Sequence, residues 1–327
     1  MVRILTTLAV KSRYYLERPV ALKSVLVTGA SGVIGRATIA ALLAAEYEVR
    51  AVSSVDADLR DARATDQLVA DLAPDAVIHL AGRVHGLMGN ASAQGDMYLD
   101  NILINTHVVD AARKAGVKKI VAMGSVAVYG DSVQLPMREA DLWQGAPHFS
   151  EIGYAQAKRS MLAHLEANRD QYGLEFAFAV STNLFGTHDR FDEVHGHVLP
   201  SLMSKFHRGV TQNTGVTVWG TGTATRDFLY SVDAAQALLT LLASGEGVYN
   251  VASGHHVTIR ELATEIAQVT KFKGEVEWDR SKPDGQAARA YDITRLASLG
   301  WAPQIPLKVA LAETYDWYSR NVDRVRR

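Results

Sequence analysis

A glycine-rich turn near the start of the chain limits the fold more than any other feature of the sequence. The apolar run Val25-Leu-Val27 leads to Gly29, Gly32 and Gly35, and then into an Ala/Leu-rich segment that ends at Ala45. Strand, turn and helix in this order place the phosphates of a dinucleotide at a helix N-terminus. The first glycine permits the tight turn, the second lets the backbone approach the pyrophosphate, and the third lets the helix pack closely on the strand. The pattern predicts a nucleotide-binding βαβ unit.

Short β-rich runs alternate with helical stretches as far as about Val180. The runs are Val25-Leu-Val27, Val49-Arg-Ala-Val52, Ala76-Val-Ile-His-Leu80, Lys119-Ile-Val-Ala-Met123 and Phe176-Ala-Phe-Ala-Val180. This alternation is typical of an α/β fold, and it predicts a Rossmann-type doubly wound parallel sheet with helices on both faces. Beyond Gly186 the elements are short and mixed, with helices expected at Ile259 to Val269 and at Leu307 to Ser319. This part is expected to form a smaller mixed C-terminal substrate lobe.

Three segments follow from these patterns. Residues 1–23 precede the first strand and form an extension of unknown role. Residues 24–185 are expected to form the nucleotide-binding Rossmann domain, and residues 186–327 the substrate-binding lobe, with some exchange of chain between the two lobes. A chain of 327 residues, 48% of them hydrophobic, is long enough to bury the cores of both.

Charge and composition narrow the classes of partner. With 34 Lys and Arg against 35 Asp and Glu, the formal net charge is -1, which offers no basic field for nucleic acid and no polybasic anchor for a membrane. The sequence has no apolar run of about 18 residues, so no transmembrane helix is expected and a cytoplasmic location is the default. The absence of cysteine excludes disulfides and thiolate metal sites, and no metal site is predicted. A small-molecule partner is therefore favoured.

Tyr154 and Lys158 are the clearest candidates for catalysis. On a helix their spacing of four places both side chains on one face. An ammonium held against a phenol stabilises the phenolate, so that a tyrosine with a free pKa of about 10 exchanges a proton near neutral pH. Ser125 follows the strand that ends at Met123, and open α/β sheets bind ligands at the carboxyl ends of their strands. The three side chains predict a site in which a carbonyl carbon accepts hydride while its oxygen is protonated.

This combination resembles the extended short-chain dehydrogenase/reductase family. The resemblance rests on the Gly-x-x-Gly-x-x-Gly loop, on Ser125 and on the run Tyr154-Ala-Gln-Ala-Lys158. It implies an NAD(P)-dependent oxidoreductase that acts on a nucleotide sugar, with Ser125, Tyr154 and Lys158 as catalytic residues. It also implies that the cofactor is contacted by Gly29, Ser31, Gly32, Val33, Ile34, Gly35, Arg36, Ser53, Ser54, Asp58, Leu59, Leu80, Ala81, Gly82 and Asn101, besides Tyr154 and Lys158.

Within that family the sequence is similar to the epimerase-reductases of GDP-4-keto-6-deoxy-mannose, over roughly Val25 to Asn321. The segments that carry this likeness are Thr182 to Asp189, His197 to Pro200, Val218 to Leu229 and Ser281 to Gly285. The likeness implies a GDP-sugar substrate and a homodimer, usually formed through the helices that include the tyrosine. The implied substrate contacts are Ser125, Asn183, His197, Lys205, Trp219, Arg226 and Arg289, with His197 as the catalytic acid of the epimerisation steps. Cations at these positions suit a diphosphate.

Ala127 is the sharpest departure from those relatives. The relatives have a cysteine two residues after the serine, where this chain has alanine. In the relatives that cysteine is the base that removes protons from the carbons beside the keto group. A methyl group accepts no proton, so epimerisation at carbons 3 and 5 is expected to be lost or slow unless His197 acts alone. We therefore expect a 4-keto reductase of a nucleotide-linked deoxy or heptose sugar, with GDP favoured and without 3,5-epimerisation. The complete epimerase-reductase, and a cofactor-binding sensor or scaffold without turnover, are the alternatives.

The end of the second strand bears on the choice of cofactor. Ser53 stands where an acidic residue would bind a ribose 2'-hydroxyl, about 20 residues after the glycine loop. A 2'-phosphate would not be repelled there, and Ser53, Ser54, Arg36 or Arg50 are available to bind it, so NADP(H) is favoured over NAD(H). The arginines with which relatives hold that phosphate are absent from the matching positions, which are Ser31 and Ser54.

Overall fold

A computed structural model of the chain describes residues 22–193, 196–282 and 286–325. The N-terminal extension as far as residue 21, and the end of the Ser281 to Gly285 segment, lie outside the described residues. The strands are β1 (Ser24–Thr28), β2 (Glu48–Val52), β3 (Ala76–His79), β4 (Lys119–Met123), β5 (Glu175–Ser181), β6 (Asn183–Phe185), β7 (Val216–Trp219), β8 (Thr225–Tyr230), β9 (Gly247–Val251), β10 (His256–Thr258) and β11 (Val276–Asp279). The helices are α1 (Val33–Ala44), α2 (Ala62–Leu72), α3 (Leu87–Ser92), α4 (Gln94–Lys114), α5 (Ile152–Tyr172), α6 (Val198–Gln212), α7 (Ser231–Ser244), α8 (Ile259–Thr270), α9 (Thr294–Ala297) and α10 (Leu307–Asn321).

Six strands form the central sheet in the order β2-β1-β3-β4-β5-β9, and every neighbouring pair runs parallel. The first five coincide with the five β-rich runs of the sequence, so the predicted Rossmann-type doubly wound sheet is confirmed. The sixth strand, β9, is not part of the predicted alternation. After β5 the chain forms three short strands and two helices before it returns to the sheet. Because β9 is so far from β5 along the chain, the alternation of strands and helices in the sequence does not indicate that it belongs to this sheet.

Both faces of the central sheet are covered by helices. Leu26 and Phe178 pack on one face against α4 and α5, where Val108 and Leu162 are fully buried. On the other face the neighbouring residues of the same strands pack against Leu42 of α1 and against α7. Alternate strand residues therefore belong to different clusters, as the period of a β-strand requires. Each fully buried Leu or Phe side chain contributes about 1.5 to 3 kcal/mol through removal from water.

A smaller mixed lobe consists of the other five strands and of helices α6, α8 and α10. It contains a three-stranded sheet of order β10-β8-β6 and the parallel pair β11-β7. Helices α6, α8 and α10 bury Phe206, Ile266 and Leu311 in one cluster with these strands. Helix α8 begins with a capping box in which Thr258 and Glu261 exchange hydrogen bonds, so its start is set by the local sequence. Helices α8 and α10 confirm the two that the sequence predicts in this region. In the described part of the chain, no helix is both long and apolar enough to cross a membrane.

Candidate active site

A cleft of about 1020 Å³ follows the carboxyl ends of the central strands and extends to the smaller lobe. The structure brings most of the predicted site residues to its walls: Gly29, Ser31, Gly32, Val33, Ile34, Gly35, Ser53, Ser54, Asp58, Leu59, Leu80, Ala81, Gly82, Ser125, Tyr154, Asn183, His197, Lys205, Trp219, Arg226 and Arg289. Arg36, Asn101 and Lys158 do not line it. Cofactor-type and substrate-type residues, which are spread over most of the chain, thus share one cavity.

The glycine loop connects β1 to α1 at one end of this cleft. Gly29 has a φ of +72°, which L side chains rarely adopt, and an added Cβ would lie 2.8 Å from the backbone nitrogen of Ala81. A Cβ on Gly35 would lie 2.3 Å from the carbonyl oxygen of Gly29, so only glycine allows the helix to start this close to the strand. The first amides of α1 have no partners within the helix and face this turn. The loop therefore fits the pyrophosphate of a dinucleotide cofactor.

The loop that follows β3 lies directly beside the glycine loop in the cleft wall. A Cβ on Gly82 would lie 2.9 Å from Oδ1 of Asn101. Asn101 is fully buried, and it accepts a hydrogen bond from the backbone nitrogen of Arg83 and donates to the carbonyl oxygens of Arg83 and Met97. Asn101 thus holds the loop against α4 and does not itself line the cleft, and its contact with the cofactor stays a prediction.

His79 ties the strand ends together beneath this loop. Its Nδ1 lies 2.8 Å from Oγ1 of Thr28 and its Nε2 lies 3.1 Å from Oδ1 of Asn105. Burial, and then the charge of Lys158, lower the pKa of His79 to about 3. The imidazole is therefore neutral at physiological pH, and it serves as a hydrogen-bonded link between β1, β3 and α4.

Ser125 stands just past the end of β4, where the extended backbone turns into a short 3-10 helix, Val126–Val128. Its Oγ accepts a hydrogen bond from the backbone nitrogen of Ala127 at 3.2 Å, which fixes the hydroxyl at the edge of the cleft. Ala127 also lines the cleft and is 3% exposed, in a cluster with Met97 and Tyr154. Ala127 therefore lies in the cleft wall two residues beyond the serine and in contact with the cluster that holds Tyr154.

Tyr154 and Lys158 occupy the first two turns of α5, and both are buried. The Lys158 Nζ donates a hydrogen bond to the carbonyl oxygen of Met123 at 2.9 Å and lies 5.9 Å from the centre of the Tyr154 ring. Burial lowers the pKa of Lys158 to about 8. Burial also raises the pKa of Tyr154 above its usual value, and a hydrogen bond with Ser125 opposes this rise.

The sequence predicts a lowered pKa for Tyr154, and the structure gives the opposite direction. The reason is that burial, which disfavours the charged phenolate, outweighs the hydrogen bond with Ser125, and the nearby charge of Glu151 raises the pKa of Tyr154 further. The Lys158 ammonium donates its hydrogen bond to a backbone carbonyl instead. Tyr154 therefore stays protonated at neutral pH, as a proton donor must. Its partner Lys158, by contrast, changes charge near pH 8.

At the adenosine end the structure adds an acidic group that the sequence pattern does not reveal. The backbone nitrogen and the hydroxyl of Ser53 both donate to the Asp56 carboxylate, at 2.8 and 2.9 Å. Ser54 lies within that turn and also lines the cleft. Arg50 instead forms an ion pair with Glu48 on β2, outside the cleft lining. Although position 53 itself is not acidic, the turn places the Asp56 carboxylate directly beside it.

The far end of the cleft carries positive charge and one exposed indole. Trp219, at the end of β7, is 40% exposed, and the ammonium groups of Lys205 and Lys282 lie 5.2 and 5.7 Å from its ring centre. Arg226 is the second residue of β8, and Arg289, which is 8% exposed, also lines the cleft. Three cationic side chains of the cleft wall and an aromatic face suit a nucleoside diphosphate.

His197 is the N-cap residue of α6 and projects into the cleft, where more than a third of its surface is accessible. Desolvation within the cleft, and then His85 and Arg190, lower the pKa of His197. A neutral imidazole accepts a proton more readily than it donates one. His197 is therefore better suited to the role of a base than to that of the acid that the resemblance implies.

Several residues of the cleft wall were missed by reasoning from the sequence. They are Arg60, Arg83, His85, Asp100, Glu151 and Arg190. Glu151 lies three residues before Tyr154 and accepts a hydrogen bond from Nη2 of Arg289 at 3.4 Å. Each of these six residues lies within three positions of a residue or segment that the sequence assigns to the site, and this proximity is the sequence signal that could have identified them. Among the described residues no cluster of three His, Cys, Asp or Glu side chains is placed to bind a metal ion.

Several known proteins are similar to this chain in sequence and in fold. The sequence pattern of the NAD dependent epimerase/dehydratase family matches residues 25–252. A GDP-L-fucose synthase from Sinorhizobium fredii is 35% identical over 303 residues, which cover 92% of this chain and 96% of that relative. The GDP-L-fucose synthase of Escherichia coli is 36% identical over 281 residues, which cover 82% of this chain and 88% of that relative. Among solved structures, a GDP-L-fucose synthetase from Naegleria fowleri bound to NADP is 31% identical with a TM-score of 0.87, over 95% of this chain and 99% of that one.

Proposed function

The chain belongs to the NAD dependent epimerase/dehydratase family, as an NAD(P)-dependent nucleotide-sugar oxidoreductase, and we propose that it reduces the 4-keto group of a GDP-linked sugar with NADPH. We further propose that it does so without epimerising carbons 3 and 5. The observation that carries this second step is Ala127. Its methyl group lies two residues beyond Ser125, against Tyr154, and offers no proton acceptor to a sugar carbon.

The reduction follows from the side chains around Tyr154. The bound cofactor supplies hydride to the carbonyl carbon. Ser125 donates a hydrogen bond to the carbonyl oxygen and so orients it. Tyr154, protonated because burial raises its pKa, transfers its proton to that oxygen as negative charge develops there. Lys158, charged below about pH 8, then stabilises the phenolate that remains.

The far end of the cleft supports a nucleotide-diphosphate substrate. Lys205, Arg226 and Arg289 supply positive charge for the phosphates, and Trp219 offers a flat face at the mouth. Asn183 is held by a hydrogen bond from its Nδ2 to the carbonyl oxygen of Asp227, at 2.9 Å, so that its amide is fixed at the junction of the two lobes. The guanine base is proposed from the names of the relatives, which act on GDP-linked sugars.

NADPH is proposed over NADH on three grounds. Ser54 lines the cleft beside the place of the ribose, and the Naegleria fowleri relative has been solved with NADP. Arg36 lies close enough to the cleft to lower the pKa of His188, after the effect of desolvation. Asp56 opposes a 2'-phosphate, so the contact is assigned to Ser54 and Arg36 and not to Ser53.

A complete epimerase-reductase is the second candidate, and one observation favours it. The lowered pKa of His197 keeps its imidazole neutral, and a neutral imidazole in the cleft is able to remove a proton beside the keto group without a cysteine. This reaction would need a second group to return the proton on the other face of the sugar. The residue at the position of that group in the resemblance is Ala127.

The proposed reaction is tested with a panel of nucleotide-linked 4-keto sugars, using NADPH absorbance for the rate and NMR for the product. We expect GDP-4-keto-6-deoxy-mannose, or a GDP-linked 4-keto heptose, to be reduced with carbons 3 and 5 unchanged. A product inverted at either carbon would favour the epimerase-reductase. NADPH binding without oxidation by any member of the panel would favour a sensor or scaffold.

A homodimer is also proposed, through α4 and α5. Tyr98 and Leu99 on α4 and Tyr172 on α5 are 42%, 55% and 55% exposed, so two neighbouring helices leave large apolar side chains open to a second copy of the chain. Light scattering at micromolar concentration is expected to give twice the mass of one chain, and Leu99→Glu is expected to give monomers.

A further inference from the structure

Glu151 is an acidic side chain of the cleft wall that the proposed reduction does not use. It lies three residues before Tyr154, and its side chain is 23% exposed. Besides burial, the charge of Glu151 raises the pKa of Tyr154, so the carboxylate and the phenol lie near each other. A carboxylate in this cleft repels the phosphates of a substrate, and it is stabilised by groups that donate hydrogen bonds. The question is which donor of a bound substrate it would meet.

Glu151 is the N-cap residue of α5, but its side chain does not cap the helix. A side chain at this position usually accepts a hydrogen bond from the second or third amide of the helix. Here the amide of Gly153 donates to Oε1 of Gln94 at 2.8 Å, and Nε2 of Gln94 donates to the carbonyl oxygen of Phe149 at 3.0 Å. Gln94 of α4 thus stabilises the start of α5, and the carboxylate of Glu151 is available to the cleft.

Arg289 compensates the charge of Glu151 without using up its oxygens. Its Nη2 lies 3.4 Å from Oε2 of Glu151, which is longer than the distance of about 2.8 Å in a strong charge-assisted hydrogen bond. Arg289 is anchored by a hydrogen bond from its Nε to Oε1 of Gln286, and its side chain is 9% exposed. A carboxylate has about four acceptor positions. Within the described part of the chain, Oε1 of Glu151 accepts no hydrogen bond, so one oxygen is left for a ligand.

Resting on the function proposed above, we propose that Glu151 binds the hydroxyl group at carbon 3 of the sugar and makes the site selective for sugars in which that hydroxyl is free. Ionised phosphates and keto groups have no hydrogen to donate, whereas a sugar hydroxyl does. Of the two carbons beside a 4-keto group, carbon 5 carries the ring oxygen and carbon 3 carries a hydroxyl. When Tyr154 protonates the oxygen on carbon 4, the carboxylate beside Tyr154 is therefore close to the neighbouring hydroxyl.

This contact agrees with reduction that leaves carbon 3 unchanged. A carboxylate that accepts the hydroxyl hydrogen adds electron density at carbon 3, which makes the hydrogen bonded to that carbon less acidic. Exchange of the carbon 3 proton for deuterium in the wild-type protein that stops in Glu151→Gln would instead identify Glu151 as a base, and it would overturn the proposal.

The contact is tested by equilibrium binding of GDP-mannose and of its 3-deoxy analogue, which differ only in the 3-hydroxyl. The protein is loaded with NADPH, so that no reaction takes place at carbon 4. A hydrogen bond to a charged group changes affinity by about 10- to 100-fold, and the wild-type protein is expected to prefer GDP-mannose by this factor. Glu151→Ala is expected to bind both ligands equally within about twofold. Glu151→Gln, which keeps an oxygen without the charge, is expected to retain part of the preference.

The matched control is Glu166→Ala, on the same helix and outside this cleft, which is expected to keep the wild-type preference. GDP alone and NADPH alone lack the 3-hydroxyl. Glu151→Ala is therefore expected to bind NADPH as the wild type does, and to bind GDP equally or more tightly because a repelling charge is gone. Weaker binding of GDP would show that Glu151 only holds Arg289, and weaker binding of NADPH would show that it contacts the cofactor. Either result would overturn the proposal.

The binding constants also separate this inference from the function on which it rests. Equal binding of GDP-mannose and the 3-deoxy analogue by the wild-type protein would overturn the inference alone. Failure of the wild-type protein to bind GDP would overturn the proposed GDP-linked substrate, and the inference with it. Melting temperatures of Glu151→Ala and Glu151→Gln report whether the fold is intact, and Glu151→Gln keeps the size of the side chain.

Discussion

Replacement of Tyr154 by Phe removes the proposed proton donor and leaves the aromatic ring in place. The hydroxyl is buried, its pKa is raised by that burial, and its described partner is the hydroxyl of Ser125. General acid catalysis contributes about 10²- to 10⁴-fold, so the single-turnover rate of NADPH oxidation is expected to fall by that factor, or by about 3 to 5 kcal/mol in the barrier. Loss of the hydrogen bond to Ser125 costs about 1 kcal/mol of stability, a shift of about 2 to 4 °C in the melting temperature.

The assay mixes enzyme in excess with NADPH and the keto sugar in a stopped-flow instrument, so that product release does not limit the rate. NADPH affinity is measured separately and is expected to stay within about twofold, because a phenyl ring fills the same space. Tyr98→Phe, on the exposed face of α4, is the matched control and is expected to retain the wild-type rate. Retention of more than a third of the wild-type rate in Tyr154→Phe would refute the assignment of Tyr154 as the proton donor.

Three further predictions concern charge and proton transfer in the same cleft. The kcat/KM for reduction is expected to fall about tenfold per pH unit above about pH 8, because the pKa of Lys158 is lowered and its ammonium loses its proton there while Tyr154 is still protonated. In a pH profile of Lys158→Arg, the same fall in kcat/KM should begin only beyond about pH 10. Ala127→Cys is expected to introduce proton exchange at carbon 3 or 5 of the keto sugar, seen by NMR in deuterated water, whereas Ala127→Ser is expected not to do so. Asp56→Asn is expected to raise the preference for NADPH over NADH by about threefold in steady-state kinetics, because it removes a negative charge beside Ser53. An unchanged ratio of the kcat/KM values for the two cofactors would place the 2'-phosphate elsewhere.

Features that depend on local spacing could be predicted from the sequence. The glycine loop requires three glycines within seven residues, and Tyr154 with Lys158 requires one helical turn, so both can be read directly. The five β-rich runs became neighbouring parallel strands because each is short and apolar and because helices separate them along the chain. Strand β9 could not be predicted in this way, because it pairs with β5 only after the chain has formed the intervening elements of the smaller lobe.

Features that depend on contacts between distant segments could not be predicted. Arg60 and Asp100 are 40 residues apart and meet because α4 packs against α2 and against the loop that precedes it. Asp56 returns to Ser53 through a turn, which a search for an acid at one fixed position overlooks. The direction of the pKa shift of Tyr154 required knowledge of its burial, since spacing alone indicates only that an ammonium is near.

Incubation of the wild-type protein with NADPH and GDP-4-keto-6-deoxy-mannose in deuterated water tests the central claim most directly, that the keto group is reduced while its neighbouring carbons keep their protons. The NMR spectrum of the product is expected to show no deuterium at carbon 3 or carbon 5, because Ala127 offers no proton acceptor there. Deuterium at either carbon would contradict the claim and would identify His197, or another group of the cleft, as a working base.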